Sequence, residues 1–399
     1  MDQPVVFRTP QTIHYGRKAF EKVGEETSAK GKKALIISDK VMESLGYIEE
    51  CSNLLLNWKI ESAFYTGVAS EPTDVYVAES LEIFEKENCD VIISLGGGSC
   101  IDTAKAISVL ATNGGYIGDY MGGKKLADKQ PIPHISIPTT AGTGSEATDA
   151  TIITNTTNDV KMMIKQPAFM PEVAIVDPLL TLSSPKGVTA ATGIDALSHA
   201  IEAYLSIKAQ PMTDTLALSA IEKIVKSLKT AYEDGKNIDA REAMALGSLQ
   251  AGMAFTNASV CLVHGMSRPI GALFHVPHGI SNAMLLPAVL EFSIDACIER
   301  LADLARLFKP DCDNLSTKEA AELTVYEVKK LCQELEIPNL KGWGIQPEAF
   351  NNAISKMAED ALASGSPNNN PKVPTKQEIE ELYEVCFDYQ FSSESMVTK

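Results

Sequence analysis

The hydrophobic period of the chain changes near residue 180, so two different architectures must share it. Upstream, short β-branched runs alternate with helical patterns: "KALIISD" at 33–39, "ESAFYTG" at 61–67, "DVIISLGGG" at 90–98, "PHISIPTT" at 133–140 and "VAIVDP" at 173–178. Strands separated by helices of this length imply a mostly parallel sheet with helices on its faces. Downstream of "SSPKGVTAATG" at 183–193 such runs stop, and long Ala-, Leu-, Glu- and Lys-rich stretches follow, among them "MTDTLALSAIEKIVKSLKTAYEDG" and "DACIERLADLARLF". These predict helices. The expected domains are an α/β domain over 1–180 and an all-helical domain over 181–399, and 399 residues are ample for two cores.

Within the α/β half, "VIISLGGGSCIDTAKAI" runs from an apolar strand through Gly96, Gly97 and Gly98 into a helix beginning near Ser99. Free backbone N–H groups at such a helix start favour a phosphate. The loop is neither a GxGxxG fingerprint nor a Walker A loop, and alone it reads equally as a structural turn. A second glycine- and hydroxyl-rich loop, "IPTTAGTGSEAT" at 137–148, follows another predicted strand, so the two could hold one extended diphosphate. Asp39 closes the strand "ALIISDK", where a carboxylate can accept from a ribose diol and repel a 2′-phosphate. It could also be a helix N-cap.

The helical half holds four of the six histidines, His199, His264, His275 and His278. Asp195 and His199 stand at i and i+4 in "GIDALSHAIEAY" and so share one helix face. A surface Asp–His pair would contribute only a few tenths of a kcal/mol and would leave the other imidazoles unexplained. One carboxylate with several imidazoles suits Fe(II), Zn(II), Ni(II) or Co(II).

Net charge narrows the partners. At −17, with a pI near 4.9, the chain is repelled by phosphate backbones and anionic membranes, so nucleic acid and membrane are not expected partners. The N-terminal "MDQPVVFRTPQTIHYG" has no basic segment followed by an apolar run, which predicts a cytoplasmic protein. The eight cysteines are scattered without a CxxC pair and read as reduced thiols.

Taken together, "GGGSCIDTAKAI", "PTTAGTGSE", "GIDALSHAIEAY" and "LVHGMSRPIGALFHVPHGISNAMLLP" resemble the iron-dependent, or group III, alcohol dehydrogenase family over nearly the whole chain. The resemblance implies the dehydroquinate synthase-like architecture: an N-terminal dinucleotide-binding α/β domain, an all-helical C-terminal domain and an active site in the cleft between them. It further implies Asp195, His199, His264 and His278 as ligands of one divalent metal, Fe(II) first and Zn(II) as the alternative. Gly96, Gly97, Gly98, Ser99, Asp102, Thr139, Thr140, Thr143 and Lys161 become cofactor contacts. Asp39 stands where relatives preferring NAD carry an aspartate, so NAD(H) is expected. A homo-oligomer, dimer or larger, is implied too.

Three positions depart from the family's pattern. Many relatives carry a histidine near the substrate where this chain has Arg268, which leaves His275 as the candidate for the proton relay. Cys261 stands where glycine is common, and Glu71 replaces an asparagine. The reading that results is a metal-dependent NAD(H) alcohol dehydrogenase or aldehyde reductase acting on a short primary alcohol or aldehyde, with Phe255 walling the pocket. Arg268 raises an alternative, a reductase of an anionic aldehyde such as succinic semialdehyde or sulfoacetaldehyde. A metal-dependent lyase or cyclase of the same fold and a non-catalytic nucleotide or metal sensor are the remaining alternatives.

Overall fold

The computed structural model describes residues 4–392. Contacts divide the chain into two units, and the division falls between Ser184 and Pro185.

The first unit is built on six parallel strands, β1 (Thr12–Tyr15), β2 (Lys33–Ile37), β3 (Glu61–Tyr65), β4 (Val91–Gly96), β5 (His134–Pro138) and, after a separate hairpin, β8 (Val173–Val176). The hairpin pairs β6 (Ala150–Asn155) with β7 (Val160–Lys165) in antiparallel register. The spatial order is β1-β8-β5-β4-β2-β3. From β2 the chain steps outward to β3 and then returns past β2 to place β4 on its other side. That reversal is a topological switch point, where open α/β sheets take their ligands beyond the carboxyl ends of the strands.

Alternation fixes both faces of the sheet. Ala34 and Ile36 of β2 pack with Val91, Ile93, Ile135 and Ile137 on one face, and Leu35 and Ile37 pack with Ile92, Ile107 and Leu110 on the other. All are buried, each large aliphatic side chain contributing about 2 kcal/mol of transfer free energy. Being covered on both sides is why these strands read as continuous apolar runs.

The β-branched runs of the sequence coincide with β2, β3, β4, β5 and β8, and three further strands lie outside those runs. β1 is a four-residue edge strand, "TIHY", half-buried along most of its length. Strands β6 and β7 lie outside the main sheet and join through a polar turn around Thr156–Asp159, so no long apolar run marks them.

In the second unit no strand occurs among the described residues. Helix Lys186–Leu205 starts after Pro185, whose extended backbone serves as the N-cap, and every residue from Gly193 to Leu205 is buried. A helix covered all round has no polar stripe, so composition rather than period is its signal. Gly193 lets helix Pro211–Glu233 approach closely, since a Cβ there would sit 2.2 Å from Leu228 Cδ1. Helix Leu262–Phe274 ends at His275, whose left-handed backbone (φ 53°) breaks it, and helix His278–Ser293 restarts after Pro277. No single helix among the described residues is long and apolar enough to cross a membrane.

Candidate active site

At the crest of the first unit, Asp39 follows β2 and the glycine loop follows β4, one on each side of the switch point. Asp39 is indeed a helix N-cap, its Oδ1 accepting from the Val41 and Met42 N–H groups at 2.8 and 2.9 Å. Its Oδ2 points the other way, 3.8 Å from Cys100 Sγ and 3.5 Å from where a Cβ on Gly96 would lie. The capping and ribose readings therefore use different oxygens of one carboxylate.

Two of the three glycines are needed for proximity. A Cβ on Gly96 would meet Cys100 Sγ at 2.6 Å, and one on Gly98 would meet Thr143 Cγ2 at 2.8 Å. On Gly97 it would meet nothing nearer than Thr140 Oγ1, at 3.7 Å. Gly97 is the N-cap of helix Gly98–Asn113, and no side chain caps that helix. Thr139 donates its N–H to Gly96 O at 3.0 Å, which ties the second loop to the first. The structure thus brings Gly96, Gly97, Gly98, Ser99, Thr139, Thr140, Thr143 and Asp39 to one edge of the unit.

Asp102 and Lys161 are engaged within the protein. Asp102 accepts from Ser145 Oγ at 2.6 Å and from the Ile152 N–H at 2.9 Å, and Lys161, on β7, pairs with Glu71 at 3.0 Å. Glu71, the departure from the family's asparagine, is thus the partner of Lys161.

The second unit assembles the metal-type cluster. Asp195 and His199 project from helix Lys186–Leu205, His264 lies in the first turn of helix Leu262–Phe274, and His278 opens helix His278–Ser293. One donor atom from each of the four falls within 4.8 Å of the others. Asp195 Oδ1 lies 3.9 Å from His199 Nδ1, 3.7 Å from His264 Nε2 and 4.0 Å from His278 Nε2. Tetrahedral donors on bonds of ~2.1 Å would stand about 3.4 Å apart, so the set fits a divalent ion with small inward movements. Burial opposes the Asp195 charge, yet His199, His278 and His264 together hold its carboxyl well below the usual range.

Two residues absent from the sequence reading complete the cluster. Glu202 accepts from His264 Nδ1 at 2.6 Å and from the Val263 N–H at 2.6 Å, leaving His264 Nε2 facing the other donors. Burial works against a charged His264, but Glu202 and Asp195 together outweigh it and raise the pKa. The Asn282 amide nitrogen lies 2.6 Å from Asp195 Oδ1, 3.1 Å from His264 Nε2 and 3.2 Å from His278 Nε2, with its Oδ1 buried and without a partner. An amide has two N–H groups for these three acceptors, and an ion binding both imidazole lone pairs would leave Asn282 on Asp195. A signal for both existed: Glu202 follows Asp195 by seven and Asn282 follows His278 by four, each on the ligand-bearing face of its helix.

Phe255 stacks on His199 with ring centroids 4.2 Å apart and planes at 15°. Arg268 is buried and donates from Nη1 to Ser366 Oγ at 3.0 Å, while its Nε is buried without a partner. Burial lowers its pKa to about 10, opposed by Glu202. Cys261 is buried, its Sγ 3.5 Å from Glu202 O and 3.4 Å from Asn369 O. His275 is exposed, and no hydrogen bond joins it to the cluster.

Sequence profiles of known families match both units: the iron-containing alcohol dehydrogenase profile covers residues 10–178, and that of the Fe-containing alcohol dehydrogenase family, C-terminal, covers 189–387. The chain belongs to the iron-containing alcohol dehydrogenase family. A 1,3-propanediol dehydrogenase of Citrobacter freundii is 40% identical over 385 residues, 96% of this chain and 98% of that protein. An NAD-dependent methanol dehydrogenase of Bacillus methanolicus is 39% identical over 378 residues, 94% and 98% of the two chains. The solved structure of a 1,3-propanediol oxidoreductase is similar with a TM-score of 0.92 at 38% identity, covering 96% of this chain and 100% of that one. Like its family, the enzyme is a metal-dependent, NAD(H)-linked alcohol oxidoreductase.

Proposed function

We propose that the enzyme interconverts a short primary alcohol and its aldehyde, with Asp195, His199, His264 and His278 holding Fe(II) or, in its place, Zn(II). The observation that carries this reading is the convergence of those four donors within 4.8 Å, three of them buried and His278 partly so. When bound, the divalent ion supplies Lewis acidity and NAD+ supplies the hydride acceptor. The protein's own residues do the rest. Glu202 accepts a hydrogen bond from the Nδ1–H of His264 and so aims its Nε2 lone pair at the cluster. Phe255 covers one face of His199 against water. Asp39 Oδ2 receives the ribose hydroxyls and disfavours a 2′-phosphate, which selects NAD over NADP. Gly97, Gly98 and Ser99 offer backbone N–H groups to the diphosphate, and Thr139, Thr140 and Thr143 face them from the second loop. Exposed His275 exchanges the reaction proton with solvent.

Relatives named for 1,3-propanediol and methanol favour small neutral substrates. The buried, incompletely partnered Arg268 favours a second reading, an aldehyde bearing a carboxylate, sulfonate or phosphonate. We place the enzyme in the cytoplasm, in keeping with its acidic charge and its buried free thiols, and as a homo-oligomer, dimer or larger, on the family resemblance alone.

The test is NADH consumption with neutral and anionic aldehydes of equal length, using protein stripped of metal and reconstituted anaerobically with Fe(II) or Zn(II). Turnover that requires metal and disappears in His264→Ala supports the dehydrogenase. Equal kcat/KM for both aldehyde classes, unchanged in Arg268→Ala, eliminates the anionic reading.

A further inference from the structure

Beneath the second loop lies a buried cation that the proposed function does not use. Lys105, in helix Gly98–Asn113, is 1% exposed. Its ammonium donates to Ser145 Oγ at 2.8 Å, Thr148 Oγ1 at 2.8 Å and Ala150 O at 2.7 Å. A lysine has three N–H donors, and all three end on one six-residue stretch, Ser145 to Ala150, that leads from the second loop into β6. Asp102, one turn earlier on the same helix, fastens the same stretch and the two residues after it: Oδ1 accepts from Ser145 Oγ at 2.6 Å, Oδ2 from the Ile152 N–H at 2.9 Å, and its carbonyl from Thr151 Oγ1 at 2.9 Å.

Ser145 is the shared node. Its hydroxyl gives its proton to Asp102 and receives one from Lys105, while its N–H donates to Thr143 Oγ1 at 3.3 Å. Thr143 in turn lies so close to Gly98 that even a methyl group there would collide with it. An unbroken series of contacts therefore runs from Lys105 through Ser145 and Thr143 to the glycine turn. A buried ammonium is costly unless every proton is satisfied, and here that satisfaction also fixes the loop's place.

We propose that Lys105, with Asp102 and Ser145, is a positioning element for the cofactor diphosphate, setting the separation between the glycine turn and the Thr139–Thr143 loop. Asp102 thereby acts on the loop and not on the cofactor. The inference rests on the dinucleotide reading of the two loops given above.

The experiment measures the NADH Kd of the purified enzyme by fluorescence, together with KM for NAD, kcat, metal content and melting temperature, in the parent, Lys105→Met and Ser145→Ala. The expected result is an NADH Kd and a KM for NAD raised about tenfold in Lys105→Met and severalfold in Ser145→Ala, equivalent to about 1.4 kcal/mol for the former. The fall in kcat should be much smaller, and metal content and KM for the alcohol should not move. A melting temperature that drops while the NADH Kd stays within about twofold of the parent overturns the proposal and leaves Lys105 a purely structural post. If Lys105→Met does not fold, Ser145→Ala decides alone by the same criteria. A parent enzyme that binds no NADH would instead overturn the dinucleotide reading.

Discussion

Glu202 and His264 form a carboxylate–imidazole pair 2.6 Å apart, with Nδ1 turned to the carboxylate and Nε2 turned to Asp195. Helix Lys186–Leu205 supplies the carboxylate and helix Leu262–Phe274 the imidazole, so the packing of two helices selects the tautomer. Glu202→Gln keeps the shape but weakens the hold on Nδ1–H. Metal affinity should fall about 10- to 100-fold, read by chelator competition with Zn(II) at fixed pH. Unchanged affinity would remove Glu202 from this role.

The cap of Asp39 uses Oδ1 alone, so the proposed ribose role of Oδ2 is separable from it by mutation. Asp39→Ser retains an N-cap acceptor for Val41 and Met42 and removes the charge that would face a 2′-phosphate. The ratio of kcat/KM for NAD to that for NADP should drop by about tenfold or more. If the ratio holds steady, Asp39 is a cap only.

Glu146 predicts a pH effect on stability. Burial raises its carboxyl from 4.5 to about 7, opposed in part by its own backbone N–H and by Lys105. Its folded pKa is raised, so the folded form holds the proton longer: the favourable contribution is complete below 4.5 and is lost as pH climbs through about 7. Glu146→Gln should therefore stabilise the protein little near pH ~4.5 and by up to about 3 kcal/mol near pH ~8. Urea titrations across that range give the curve, and a stability gain that shrinks as pH rises would contradict the assignment.

Metal removal should act on stability as well as on turnover. The buried Asp195 charge faces three imidazoles at 3.7–4.0 Å, an arrangement that an ion would complete. Chelation should lower the melting temperature, and Zn(II) at about a thousandfold excess over its Kd should restore about 4 kcal/mol. Asp195→Asn should lose most of that response. A mutant that responds as fully as the parent would place the ion elsewhere.

Much of this was legible in the chain alone, for a physical reason: local chemistry repeats at short range. Short β-branched apolar runs marked β2, β4, β5 and β8 because strands buried on both faces must be continuously apolar. The i, i+4 spacing of Asp195 and His199 placed two donors on one helix face, and Gly96–Gly98 marked a turn that tolerates no side chain at two of its three positions. Spacing could not show which distant groups meet. Only tertiary structure set His264 and His278 against Asp195, put Glu202 behind His264, and drew Lys105 and Asp102 away from solvent onto Ser145, since each pairing depends on how whole helices and loops pack. Arg268 shows the same limit: its charge is written in the chain, but its burial against Ser366 follows from contacts nearly a hundred residues apart.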